Sequence, residues 1–221
     1  MSQESLYVRR TPGYSSKLFN QVPETVKAFS EFNKLALASG ALTVRQKELV
    51  AIGIAHVTGC PYCIEAHVHK AKAEEAALEE LIEAILVAAA VQSHAVFAHG
   101  ANAAVAYEGG FGGDGGDLYP FSNVERSEQL AANAAEADPL TKFWAEALKP
   151  GRLNVKEKLY VALGTALVAG DPYGIEVYTG KAREAGITLQ EIAEILFIAA
   201  VLNAGAVVAH RVNAVAAYER V

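Results

Sequence analysis

Adding 111 to the number of every residue from Leu42 to Glu108 gives Leu153 to Glu219 without a gap. By direct count 29 of those 67 positions are identical. A chain that repeats itself this way must fold one unit twice and pack the copies on each other. Leu42-Thr43-Val44 returns as Leu153-Asn154-Val155, Gly53 as Gly164, Pro61-Tyr62 as Pro172-Tyr173, and Tyr107-Glu108 as Tyr218-Glu219. Upstream, Phe29 matches Phe143 once a three-residue gap is allowed.

The repeated unit reads as helices only. Pro23 opens a first helix to about Ser39. Thr43-Val44-Arg45-Gln46 fits a capping box and starts a second, to Thr58. Pro61 to about Glu75 forms a third, and Leu78 to Tyr107 a long fourth. The expected fold is all-α, a tandem duplication of a helical unit. The expected divisions are an arm over 1–22, a first repeat over 23–108, a linker over 109–120 and a second repeat over 121–221. The linker follows from six glycines in the eight residues 109–116, which cannot form a packed element. Hydrophobic residues make up 52% of the chain and aromatics only 8%, so the core is alanine with Leu, Ile and Val. That suits closely packed helices.

The two copies act as an internal control. Positions kept in both serve the fold, and positions rich in only one are candidates for chemistry. Cys60, Cys63, His67 and Glu48 of the first copy become Asp171, Gly174, Tyr178 and Leu159 in the second. The reactive set occurs once, and the second copy reads as a scaffold. Cys60 and Cys63 are the only cysteines. Gly59 suits a helix end, Cys60 an N-cap and Pro61 the first helical position. Cys63 then falls at the third position, among unpaired N–H groups at the positive end of the helix dipole, where a thiolate is favoured. Cysteines in such settings titrate one to several units below the usual ~8.5. His67 follows Cys63 by four residues and shares its face. Glu48 leads a helical stripe with Ile52 and His56. Its counterpart Leu159 marks the position as interior, where a carboxylate would orient the His67 imidazole. Tyr178 marks His67 as partly buried. His69 reads as solvated, and His99, repeated as His210, as a helix-packing or interface histidine. Tyr62, repeated as Tyr173, reads as structural. His56 and His94 stay open between pocket lining and incidental positions.

Glu48, eleven intervening residues and then Cys60-x-x-Cys63-x-x-x-His67 resembles the signature of the carboxymuconolactone decarboxylase-like superfamily, in its alkyl hydroperoxidase D branch. The likeness covers residues 23–108 strongly and 138–219 weakly. One departure is Tyr62, which stands where the best-known peroxidase members carry histidine. The resemblance implies an all-α fold and assembly of two-repeat chains as homotrimers. It implies a thiol-dependent hydroperoxidase or disulfide reductase in which Cys63 attacks a hydroperoxide, Cys60 resolves, and Glu48 with His67 relays protons. The chemistry needs a thioredoxin-like or lipoyl-bearing protein as reductant, and no organic cofactor. Two other readings remain: a decarboxylase or isomerase acting on a small lactone, and a metal- or thiol-binding regulatory protein. In the latter, Cys60, Cys63, His67 and either Glu48 or His56 would hold zinc.

A net charge of −6 argues against a nucleic-acid surface. The N-terminal residues lack a basic stretch followed by an apolar one, so no signal peptide is expected. No continuous apolar run of about 18 residues is found, so no membrane span is expected. The expected setting is cytoplasmic.

Overall fold

The computed structural model describes residues 19–107 and 122–219, and every regular element among them is a helix. The first repeat holds α1 (Pro23–Leu37), α2 (Val44–Val57), α3 (Pro61–Ala73) and α4 (Leu78–Tyr107). Then come α5 (Ser122–Ala131), α6 (Ala137–Leu148), α7 (Val155–Ala169), α8 (Pro172–Glu184) and α9 (Leu189–Glu219). Residues 1–18 of the expected arm, and the whole expected linker over 109–120, lie outside the described residues.

Both capping boxes form. Thr43 and Gln46 at the start of α2, like Asn154 and Glu157 at the start of α7, exchange side-chain and backbone bonds. Each satisfies two backbone N–H groups that the helix itself leaves unpaired. The two helices they start are the centre of the molecule. Every residue from Lys47 to Ala55 in α2 and from Glu157 to Ala166 in α7 is buried. Helices buried all round carry no polar stripe, and these show none. They cross where both lack a side chain. A Cβ on Gly53 would come within 2.7 Å of Val161, and one on Gly164 within 2.8 Å of Val50.

The copies interlock. Helix α1 packs on α9 of the second repeat more than on its own α2, and α6 packs on α4 of the first. One apolar core therefore draws on both copies, from Leu42 and Ile52 to Leu163 and Ile195. Polar clamps repeat the exchange. Glu194 on α9 accepts the N–H groups of Ala41 and Leu42 at 2.7 and 3.0 Å, and pairs with the buried Lys47 at 3.0 Å. Glu83 on α4 accepts those of Arg152 and Leu153 at 2.8 and 3.1 Å, and pairs with Lys158 at 3.2 Å. Each lysine also donates to a carbonyl in its own repeat, Ala36 for Lys47 and Ala147 for Lys158.

One expectation needs correction. Helices α4 and α9 are each long and apolar enough, by length and composition, to cross a membrane. Polar residues such as Gln92, Ser93, His94 and Asn203 interrupt any continuous run in sequence, yet the average over a helix this long stays apolar. In the fold one face of each covers α2 and α7.

Candidate functional site

Cys60 is the N-cap of α3 with extended backbone, Pro61 is at the first position, and Gly59 supplies the left-handed residue before it (φ 61°). The sequence places these three as the structure does. The sulfur at the helix mouth, however, belongs to Cys60. Its Sγ accepts the backbone N–H of Cys63 at 3.3 Å. An N-cap side chain folds back onto the first-turn N–H groups, and Cys63 occupies the third position, as the sequence expects. Cys60 is fully buried, and Cys63 is 8% exposed. Neither is in a disulfide.

Around the two sulfurs lie Ala55 from α2, Tyr62 and Ile64 from α3, and Ala206 and Ala209 from α9. The second repeat thus forms one wall of the site. The Tyr62 hydroxyl is within reach of Asn213 on α9, whose amide donates to it at 3.1 Å, and its ring meets His210 edge-on at 5.5 Å. The sequence marked Tyr62 as structural, and its contacts tie α3 to α9. The wall itself was missed, because Ala206 and Ala209 carry no chemical signal.

Glu48 and His67 come together. The imidazole Nδ1–H donates to Glu48 Oε2 at 2.6 Å, and Lys70 stands 3.9 Å from the other carboxylate oxygen. Glu48 is 2% and His67 7% exposed. Because the carboxylate only accepts, it fixes the tautomer with the proton on Nδ1 and leaves Nε2 as the working nitrogen. A cavity of about 410 Å3 between α1, α2 and α3 reaches Glu48 and Lys70. His67 lies one helical turn beyond Cys63, on the same face.

The other histidines divide. The Nδ1 of His56 bonds to the Ile52 carbonyl at 2.8 Å, so His56 does not join the carboxylate. His69 is exposed, as expected. Among the described residues no three His, Cys, Asp or Glu side chains are placed to hold one metal ion, so the zinc arrangement is not assembled.

In the second copy the Cys60 position serves the fold. Asp171, at the Cys60 position, is 1% exposed and caps α8 by accepting the N–H groups of Tyr173 at 3.2 Å and Gly174 at 2.9 Å. A Cβ on Gly174 would lie 2.3 Å from that carboxylate, so Gly174 is what makes room for it. His99 of α4 pairs with Asp171 at 3.5 Å and meets the Tyr173 ring at 5.4 Å. His99 and His210 thus hold the two copies' third helices in the same way.

A doubled all-helical unit whose two copies share a core, with a cysteine pair and a carboxylate–imidazole pair in one copy, defines the class. The sequence model of the carboxymuconolactone decarboxylase family matches residues 23–106 and 135–217, once per repeat, and the chain belongs to that family. A Paracoccus denitrificans relative known as "Uncharacterized protein 4 in cox locus" is 49% identical over 79 residues, 36% of this chain and 70% of that relative. A solved structure from Burkholderia xenovorans LB400, provisionally assigned as a gamma-carboxymuconolactone decarboxylase subunit, superposes with a TM-score of 0.64. It covers 97% of this chain and 94% of its own at 19% identity, a likeness of fold.

Proposed function

We propose that the protein is a thiol-dependent hydroperoxidase whose centre is Cys63, Cys60, His67 and Glu48. The observation that carries this reading is the buried Glu48–His67 hydrogen bond on the face of α3 that bears Cys63. Cys63, the more exposed of the two cysteine residues, attacks the terminal oxygen of a hydroperoxide as thiolate. The S–O bond forms, the O–O bond breaks, and the alkoxide leaves as an alcohol after taking a proton from His67. Cys60 then attacks the Cys63 sulfenic acid, forming the disulfide and releasing water. His67 takes the Cys60 thiol proton and passes it to the departing hydroxide, which becomes that water, and Glu48 holds the ring through these transfers. A thioredoxin-like or lipoyl-bearing protein supplies two electrons and two protons to restore the dithiol. A cytoplasmic setting suits two reduced cysteines.

Assembly as a homotrimer is part of the proposal. Ile82 and Leu86 on α4, with Leu196 and Phe197 on α9, are 46–53% exposed and supply apolar surface for it.

Thiol titration before and after one equivalent of hydroperoxide tests the chemistry. Wild type is expected to lose both thiols, and Cys60→Ser to accumulate a sulfenic acid on Cys63. Retention of all thiols in both proteins removes the proposal. A second reading, decarboxylation of a small lactone, takes its support from the family and from the assignment of the Burkholderia protein. Lactone turnover that survives Cys63→Ser would select it.

A further inference from the structure

A second opening lies away from the cysteines, against α6 and α8 of the second copy. A cavity of about 690 Å3 lies between α4, α5, α6 and α8, within the ~300–1,000 Å3 of small-molecule sites. Tyr178, which lines it, is the counterpart of His67. His94, also in the wall, is the counterpart of Gly205. At Gly205 the ring of Phe29 lies 3.9 Å from where a Cβ would be. Around His94 an aromatic cage stands instead. Trp144 meets His94 edge-on at 5.1 Å and Phe97 at 5.3 Å, and His94 meets Tyr178 at 6.1 Å. The indole N–H donates to Ser93 Oγ at 2.8 Å, which holds the ring in place before any ligand arrives.

The polar groups in this wall have a pattern. The Nδ1 atom of His94 is buried and has no hydrogen-bond partner among the described residues. Burial pushes the His94 pKa down, so the ring is neutral. Burial, helped by Asp171, raises Tyr178 to about 12, so its hydroxyl stays protonated and able to donate. Lys181 makes no ion pair among the described residues, while Lys149 is engaged by Glu146 at 2.5 Å. One carboxylate, Glu128, sits in the wall on α5, which Ser127 fastens to α4 through the Ala98 carbonyl and the Ala101 N–H. An unpartnered neutral nitrogen asks for a hydroxyl, which serves either tautomer. An uncommitted ammonium beside a phenol asks for an anion.

We propose that this cavity binds a small hydroxylated aromatic carboxylate, with its ring against Trp144 and Phe97, its hydroxyl on His94 and its carboxylate on Lys181 and Tyr178. The site is separate from the dithiol chemistry and stands whether or not that chemistry holds.

Trp144 is the only tryptophan, so its fluorescence reports on this cavity directly. Hydroxyphenylpropionate is titrated into the full chain, with calorimetry as a second readout. A saturable change is expected. Lys181→Gln should weaken binding about tenfold or more, the size of one charge-assisted bond. Tyramine, the same ring with opposite charge, should bind at least about tenfold less tightly for the same reason. Ala145→Phe, which fills the cavity from an exposed position, should abolish binding. Both substituted positions are exposed, and both variants should keep the helical circular dichroism and thiol reactivity of wild type. The proposal is overturned by no saturable signal in either readout, by tyramine binding as tightly, or by affinity unchanged in Lys181→Gln or Ala145→Phe.

Discussion

At the scale of single residues, the same helix-start slot carries two chemistries. Cys60 and Asp171 each cap the helix that follows, one with sulfur and one with carboxylate. The residue three positions on adapts: Cys63 in one copy, and Gly174 where the carboxylate needs the space. The Glu48–His67 pair makes a sharper claim. Glu48→Gln keeps the shape and can still accept a hydrogen bond, but no longer balances a protonated imidazole. The rate of thiol loss with hydroperoxide should fall about a hundredfold, a typical share for acid–base catalysis, while overall helicity stays. The pH profile of that rate should shift as well. An unchanged profile would show that the pair only supports the fold.

At the scale of helices, the crossing of α2 and α7 brings the two copies' central helices into close contact. Gly53 faces Val161 and Gly164 faces Val50, with no room for a methyl group at either. Either Gly→Ala substitution should destabilise by about 1–3 kcal/mol through forced overpacking, read as a lower melting temperature. Helix propensity alone would predict the opposite, since alanine is favoured over glycine inside a helix by about 1 kcal/mol. The sign of the change therefore decides between packing and propensity. The sequence shows both glycines as repeated, but that they face each other's helix is visible only once the copies are docked.

At the scale of the molecule, the two reciprocal clamps couple the repeats and respond to acid. Burial alone would raise Glu83. The N–H groups of Arg152 and Leu153 and the ammonium of Lys158 outweigh it and hold the carboxyl below its usual 4.5. Glu194 is treated the same way, burial raising it and the N–H groups of Leu42 and Ala41, with Lys47, pulling it below. A carboxylate held low in the folded state stabilises above its unfolded value and loses that contribution as pH falls through the folded one. Unfolding in denaturant, measured from neutral pH down through the carboxylate range, should show stability falling below about pH 4.5. Glu83→Gln with Glu194→Gln should be less stable at neutral pH and flatter with acid. An acid profile as steep as wild type would place the linkage elsewhere.

Much of this architecture could be read in advance because duplication is written in one dimension. Spacing of 111, capping residues and glycine stops determine which segments become helices and that there are two units. The relation between Cys60, Cys63 and His67 is also local, because they share one helix. Other features join residues far apart in the chain, and no periodicity encodes them. The α9 wall beside the cysteines, the exchange of α1 and α6 between repeats, and the Asp171–His99 pair are of this kind. So is the cavity around Trp144. Local hydrogen bonding and side-chain pattern are properties of neighbouring residues and so belong to the sequence. Which sulfur takes the helix N–H, and where the aromatic-lined cavity falls, depended on how closely two helical surfaces could approach, and only the packed molecule decides that.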